Sequence, residues 1–379
     1  MDHVVRYQFD QCVVRYKGAY WTKRFSCWDQ FLAMTFGQLT HRESLRDIVA
    51  CLCAHRDKWY HLGFRAAIGR TTLAYANEHR DWRIWRDITQ VLIEQARKLY
   101  TDDATFNLDL DGTVYLIDST TIELCLSVFR WATFVTTKAA IKMHTLMDMK
   151  GSIPVFFNIS KGNVHDVNFL DLIEYESGAY YVMDRGYLDF ERLHKIHKAG
   201  AYFVTRAKHN TKFIRLYSNP MDKTAGVKCD QIIRFVGYKT IKHYPDKLRR
   251  IKYFDAETGN TYVFLTNDFN TDAKIIADLY KHRWQIELFF KWIKGHLKIQ
   301  TFWGHSDNAV RTQICIAICS YLIVAIMKKR LRIDRNLSEI LQILNVSMFD
   351  KKPLGKLISE TELQKSEDQS QKQLSLLGI

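Results

Sequence analysis

Tyr280-Lys-His-Arg-Trp-Gln-Ile-Glu-Leu-Phe-Phe-Lys-Trp-Ile-Lys294 is the stretch on which the reading of this chain turns. Tyr280, Arg283, Glu287 and Lys294 follow one another at steps of three, four and seven residues. A step of seven on an α-helix returns to nearly the same face, drifting by only ~20°. The spacing therefore predicts one long helix, Asp272 to Leu297, with Tyr280, Glu287 and Lys294 in line and Arg283 and Trp284 beside them. Leu279, Ile286, Phe290, Ile293 and Leu297 fall on the opposite side and are expected to face a core. The polar face would then carry a carboxylate flanked by cations and aromatics. A carboxylate can hold a divalent metal, while cations and aromatics can hold phosphate and base. Ion pairs at this spacing are common on exposed helices, so the weight falls on the rest of the chain.

The 379 residues carry 55 Lys+Arg against 41 Asp+Glu, a formal charge of +14 with pI about 9.3, which favours a polyanionic partner. The charge is uneven. Residues 1–100 hold 16 basic and 10 acidic side chains, residues 101–185 hold 6 and 12, residues 186–270 hold 16 and 8, and residues 271–379 hold 17 and 11. An acidic block inside a basic chain suits an enzyme that needs carboxylates for cations and basic surroundings for DNA. The 8 cysteines form no CxxC pair and read as reduced thiols of a cytoplasmic protein, not a zinc site. The opening residues do not resemble a signal peptide. The apolar run Ile314–Met327, at 14 residues, is short for a membrane span and reads as a buried helix, so no membrane partner is expected.

Outward from the signature, the first hundred residues show helical spacing over Phe25–Leu39, Ser44–Cys53, Arg70–Glu78 and Trp82–Tyr100, with Ser44 and Thr71 as N-caps. Arg70–Glu78 has the character of a helix-turn-helix second helix. After Asp111-Gly112 the pattern becomes β-rich. Thr113–Ser119 is an apolar run ending on Asp118, and Ile122–Phe134, Ile141–Asp148 and Ile153–Ile159 read as further strands. Gly178–Asp184 is a second apolar strand ending on an acid. A helix over Phe190–Ala199, a strand over Ala201–Thr205 and a basic, β-rich insertion over 206–267 follow. Helices are expected over Ala309–Leu331 and Leu337–Val346, and disorder over 359–379.

Two acids at strand ends and a third on a later helix form a recurrent arrangement, because the strand ends of an α/β sheet converge on one edge. Three carboxylates can hold two Mg²⁺ ions ~4 Å apart. In this ordered set the chain resembles the DDE transposases of the bacterial insertion-sequence-4 family. Tyr280, Arg283, Glu287 and Lys294 match that family's C-terminal signature without a gap. Tyr-Leu-Ile-Asp118-Ser-Thr and Val-Met-Asp184-Arg-Gly-Tyr match its two Asp motifs, and the insertion at 206–267 lies where the family's β-rich insertion lies. Arg24-Phe-Ser-Cys-Trp-Asp-Gln-Phe31 and Ser44-Leu-Arg-Asp-Ile48 resemble the domain preceding the core in one branch of the family.

The resemblance implies an α/β fold. A helical DNA-binding domain at 1–105 precedes an RNase H-like catalytic core at 106–345, and a partly disordered tail covers 346–379. It implies that Asp118, Asp184 and Glu287 hold two Mg²⁺ ions, with Mn²⁺ as substitute. Tyr280, Arg283, Trp284, Lys294, Arg70 and Lys142 would contact DNA, with Lys138 and His144 alongside. The expected partners are the terminal inverted repeats and target DNA, engaged by a homodimer in a synaptic complex at the bacterial nucleoid. The expected chemistry is end nicking, hairpin formation and strand transfer. An RNase H-like nuclease without strand transfer and a non-catalytic DNA-binding repressor are the competing readings. The intact acidic triad argues against the second.

Overall fold

Six helices precede residue 101 in the computed structural model, which describes residues 3–20, 24–65, 67–101, 110, 112–209 and 211–350. They are α1 (Arg6–Arg15), α2 (Cys27–Leu39), α3 (Leu45–Ala54), α4 (Trp59–Leu62), α5 (Arg70–His79) and α6 (Arg83–Tyr100). Ser26 opens α2 with a capping box: its hydroxyl accepts from Asp29 N, and the Asp29 carboxylate accepts from Ser26 N. Ser44 caps α3 as its sequence suggested, but the N-cap position of α5 is Gly69, two residues before Thr71. The expected disorder over 359–379 lies outside the described residues.

By contacts the chain divides into two compact units, an α/β unit over 100–291 and a helical unit formed by residues up to 99 with those from 292 on. The α/β unit is built on one ten-stranded sheet. Its strands are β1 (Val114–Leu124), β2 (Thr133–Val135), β3 (Lys138–Asp148), β4 (Ile153–Lys161), β5 (Tyr180–Met183), β6 (Tyr202–Arg206), β7 (Phe213–Ser218), β8 (Val227–Phe235), β9 (Leu248–Asp255) and β10 (Asn260–Thr266). β1 pairs antiparallel with β3, which pairs antiparallel with β4; on its other side β1 pairs parallel with β5, and β5 with β6. This order, an antiparallel meander on one side of the first strand and two parallel strands on the other, is that of an RNase H-like core. The insertion continues the same sheet: β10 pairs with β6, and β9, β8 and β7 follow antiparallel.

Four helices accompany the sheet: α7 (Phe190–Lys198), α8 (Tyr238–His243), α9 (Ala273–Lys281) and α10 (Trp284–His296). Leu193 and Ile196 of α7 pack with Tyr115, Ile117, Tyr181, Met183 and Phe203 on one face. α9 packs against β5, β6 and β9, burying Ile276, Ala277 and Leu279 outside that cluster, on the other face. Residues i and i+2 of a strand share a face. Asp118 therefore lies with Val114 and Leu116 on the α9 side, and Ser119 with Tyr115 and Ile117 on the α7 side.

The structure corrects two sequence expectations here. Asp118 is not the end of a strand: β1 continues to Leu124, because Thr120–Leu124 keep a full antiparallel ladder with β3. What ends near Asp118 is the parallel ladder, whose last register pair is Ile117 with Met183. The signature helix is not continuous either. Arg283 N bonds to Tyr280 O, Gln285 N to His282 O and Ile286 N to Arg283 O, each three residues back, and this tightened turn separates α9 from α10. The apolar side survives the break: Leu279, Ile286, Phe290, Ile293 and Leu297 are all buried.

The helical unit closes late in sequence, with α11 (Asp307–Arg330) and α12 (Leu337–Ser347). α11 is long and apolar enough to cross a membrane by length and composition, but it is almost wholly buried and packs against α2, α5 and α12 as a core helix.

Candidate active site

One residue past the parallel ladder come Asp118 on β1 and Asp184 directly after β5, neighbours across the sheet. Asp118 Oδ1 accepts from Ser119 N at 2.8 Å, and its Oδ2 accepts from Arg283 Nη1 at 3.0 Å. The Asp184 carboxylate accepts from Gly186 N, capping the turn Arg185–Tyr187, and Thr205 Oγ1 fixes the Asp184 carbonyl at 3.1 Å. Glu287 sits in the first turn of α10, half exposed, and accepts from Arg283 Nη2 at 2.5 Å.

Arg283 is thus the joint of the site. Its guanidinium bridges a carboxylate from β1 and one from α10, while only 16% of its side chain is exposed and its buried Nε has no hydrogen-bond partner among the described residues. The break between α9 and α10 puts it there. Burial pushes the Asp118 carboxyl up to about 6, and the negative charges of Asp184 and Glu287 add to the rise, against the lowering effect of the Ser119 N–H and Arg283. All three acids thus meet in the charge balance at Asp118. They do not close into a ligand set: among the described residues no group of three His, Cys, Asp or Glu side chains is spaced to hold a metal. The donor chemistry nonetheless fits a hard divalent cation, which takes carboxylate oxygens. Burial is the main cost to the charged Asp118 carboxylate, and a bound cation would offset it.

Beside the acids, Arg206, Tyr253, Tyr262, Phe264, Tyr280, Arg283 and Trp284 line a cavity of about 400 Å³. Tyr280 rests on Phe264 at 4.9 Å between ring centroids, Arg206 lies 4.9 Å over the Tyr262 ring, and Trp284 is 55% exposed. Aromatic walls with guanidinium groups at the rim can take a nucleobase and its phosphate. Sequence spacing found Tyr280, Arg283 and Trp284; the insertion's share of the cavity, Tyr253 and Tyr262, carried no signal.

Of the remaining sequence candidates, Lys142 and His144 lie across the sheet from the acids, while Lys294 and Arg70 belong to the helical unit. Lys294 is two turns beyond Glu287 on α10, in the stretch that belongs to the helical unit. Arg70 opens α5 and is exposed. Lys142 and His144 lie on β3, His144 opposite Ser119 and Lys142 opposite Thr121, so both are on the α7 side of the sheet. Lys142 Nζ pairs with Asp166 Oδ1 at 3.1 Å and donates to Val164 O at 3.1 Å. Lys138 opens β3 and is exposed. Asp166, Ser119 and the buried Tyr187 were not singled out from sequence. Strand alternation alone would have put Ser119 behind Asp118.

Comparison with known proteins adds the family context. Residues 109–323 match the family model described as transposase DDE domain, and residues 1–65 match one described as a domain of unknown function. A protein named putative transposase y4zB from Sinorhizobium fredii is 33% identical over 291 residues, covering 76% of this chain and 79% of that one. A probable transposase for insertion sequence element IS5377 from Geobacillus stearothermophilus is 27% identical over 59% of each chain. A putative transposase for insertion sequence element IS4SA from Synechocystis is 25% identical over 68% of this chain and 71% of that one.

Proposed function

The chain belongs to the transposase DDE domain family, and from that premise we propose that Asp118, Asp184 and Glu287 form the single cation-binding site of its DNA chemistry. As a member of the family it is a DNA-cleaving and strand-transferring enzyme of an insertion sequence, dependent on divalent metal. The observation that carries the site assignment is the Arg283 bridge between Asp118 and Glu287, together with the effect of Asp184 and Glu287 on the Asp118 carboxyl.

Two Mg²⁺ ions, or Mn²⁺ in their stead, would supply Lewis acidity at the attacking and leaving oxygens of the phosphodiester. The residues do the rest. Asp118 and Asp184 offer carboxylates from adjoining strands, and Glu287 offers one from the more exposed α10. Arg283 can turn its two Nη donors from carboxylate to phosphate, a bidentate grip that Lys cannot reproduce. Trp284 and Tyr280 would hold an unstacked base at the aromatic cavity, and Lys294, taken from the signature spacing alone, would contact DNA phosphate. Arg70 and the exposed side of α5 would contact the transposon end, with phosphates supplying most of the affinity. Two ends must be brought together, which calls for a homodimer.

The proposed sequence is hydrolytic nicking at the end, attack of the freed 3′-OH on the opposite strand to give a hairpin, reopening, and joining to target DNA. A labelled duplex ending in the element's terminal repeat, incubated with the full-length protein, Mg²⁺ and a supercoiled plasmid, tests it. Nicked, hairpin and plasmid-joined products are expected in that order. Open ends that never become joined would leave a nuclease.

A further inference from the structure

We propose that Asp166 is a positioning residue of the acid site, acting on Asp118 through the hydroxyl of Ser119. The proposal rests on the cation-site reading above. It starts from the strand. Up to Ile117, β1 is held on both sides, by β3 and by β5; from Asp118 on it is held by β3 alone. The residue that must aim a carboxylate therefore sits where the strand loses half its support. Ser119, the next residue, points to the opposite face, and its Oγ donates to Asp166 Oδ1 at 2.8 Å.

Asp166 is held in turn. Lys142 Nζ reaches the same oxygen at 3.1 Å and is itself fixed to Val164 O. His144 lies between them, its Nε2 bonded to Ser160 Oγ at 2.8 Å, its ring stacked on Phe169 at 5.4 Å, and its Nδ1 3.7 Å from Asp166 Oδ1. The register explains the grouping: His144 faces Ser119 across the β1–β3 ladder, and Lys142 faces Ser160 across the β3–β4 ladder. The Tyr187 hydroxyl is buried at this same place, beside Ser119, where Asp118, Asp166 and Asp184 all act on it.

The plain alternative is that Asp166 merely caps its own turn, Asp166–Leu172. The turn argues against it: its cap position is His165, and no side chain caps it. The Asp166 carboxylate takes its hydrogen bond from another element, at the residue adjoining Asp118. Partners of this kind, one step removed from a ligand, typically contribute 10–100-fold in metal affinity or activity.

The experiment measures Mn²⁺ binding by electron paramagnetic resonance and end nicking for the full-length protein and its Ser119→Ala, Asp166→Ala, Asp166→Asn and Ser119→Ala/Asp166→Ala variants. Thermal melting and duplex binding serve as controls for fold. Each Ala variant is expected to weaken Mn²⁺ binding about 10–100-fold with melting and duplex binding kept. The double variant should be no worse than the worse single one, since both break one tether. Asp166→Asn, which keeps an oxygen for Ser119, should recover most of the loss. Multiplying losses in the double variant, an Asn as damaging as Ala, or unchanged Mn²⁺ affinity would each overturn the proposal. Asp118→Ala separates this from the premise. If it binds Mn²⁺ like the wild type, the cation-site reading fails and the tether with it; if it loses Mn²⁺ while Asp166→Ala does not, only the tether fails.

Discussion

Arg249 and Arg283 both grip carboxylates within the α/β unit, the first in the insertion and the second among the acids at the sheet edge. Arg249 and Asp230 are 5% and 4% exposed, and two parallel bonds of 2.9 and 2.7 Å join them. The remaining Arg249 donor goes to the carbonyls of Thr271 and Asp268. Every nitrogen of that guanidinium is spent. Arg283 divides its Nη donors between two carboxylates, one of them half exposed, and leaves Nε unbonded. One pair is saturated and closed; the other is undersupplied and open to solvent on one side. A saturated buried pair fixes a fold, because breaking it strands a charge. An undersupplied one keeps donors and acceptors in reserve for a ligand.

The largest expected effect on stability is at the closed pair. Asp230→Ala leaves the Arg249 charge buried without its partner and should cost about 3–5 kcal/mol in urea denaturation. Glu287→Ala, at a half-exposed partner, should cost about 1 kcal/mol or less. Equal losses would erase the contrast.

Asp118→Asn sharpens it from the other side. The folded-state carboxyl, at about 6, lies above the ordinary value of 3.8. Its contribution to stability is therefore full below pH 3.8 and is lost as the pH rises through 6. At pH 8 in a chelator the uncharged variant should be more stable than the wild type by up to about 3 kcal/mol, from two pK steps. The gain should vanish near pH 4. A pH-independent difference in melting would mean that burial does not act on this acid.

A smaller effect is expected at the open arginine. Arg283→Ala, and Lys294→Ala beside it in the signature, should slow the steps after the first nick by roughly 10–150-fold, the loss of one charge-assisted hydrogen bond of about 1.5–3 kcal/mol. A gel resolving nicked, hairpin and fully cut DNA should show nicked strands accumulating in a stable protein. A fall in all three products together with melting temperature would make Arg283 another Arg249.

The acids were legible because each follows an apolar run, and an acid ending such a run is conspicuous. Glu287 was legible because its neighbours recur at helical steps. The break after Lys281 was not, since no Gly or Pro marks His282-Arg283 and the turn comes from three-residue backbone bonds. The passage of β1 through Asp118 was hidden because Thr120–Leu124 is short and mixed in character, and only pairing with β3 keeps it extended. α11 could be recognised as a buried helix, yet its partners α2 and α5 lie more than two hundred residues earlier, a contact that local periodicity does not encode. Asp166 follows Val164-His165 in a turn without pattern, and only the fold brings it to Ser119.

The central claim is that Asp118, Asp184 and Glu287 are one site, although Glu287 comes from a separate helix and is linked to the strands through Arg283. Mg²⁺-dependent nicking of an end-containing duplex by Glu287→Ala, measured alongside binding of the same duplex, tests it most directly. The account predicts that nicking disappears while duplex binding and melting temperature hold, since affinity rests on basic surfaces and phosphates. Full nicking by Glu287→Ala would contradict it and remove α10 from the chemistry.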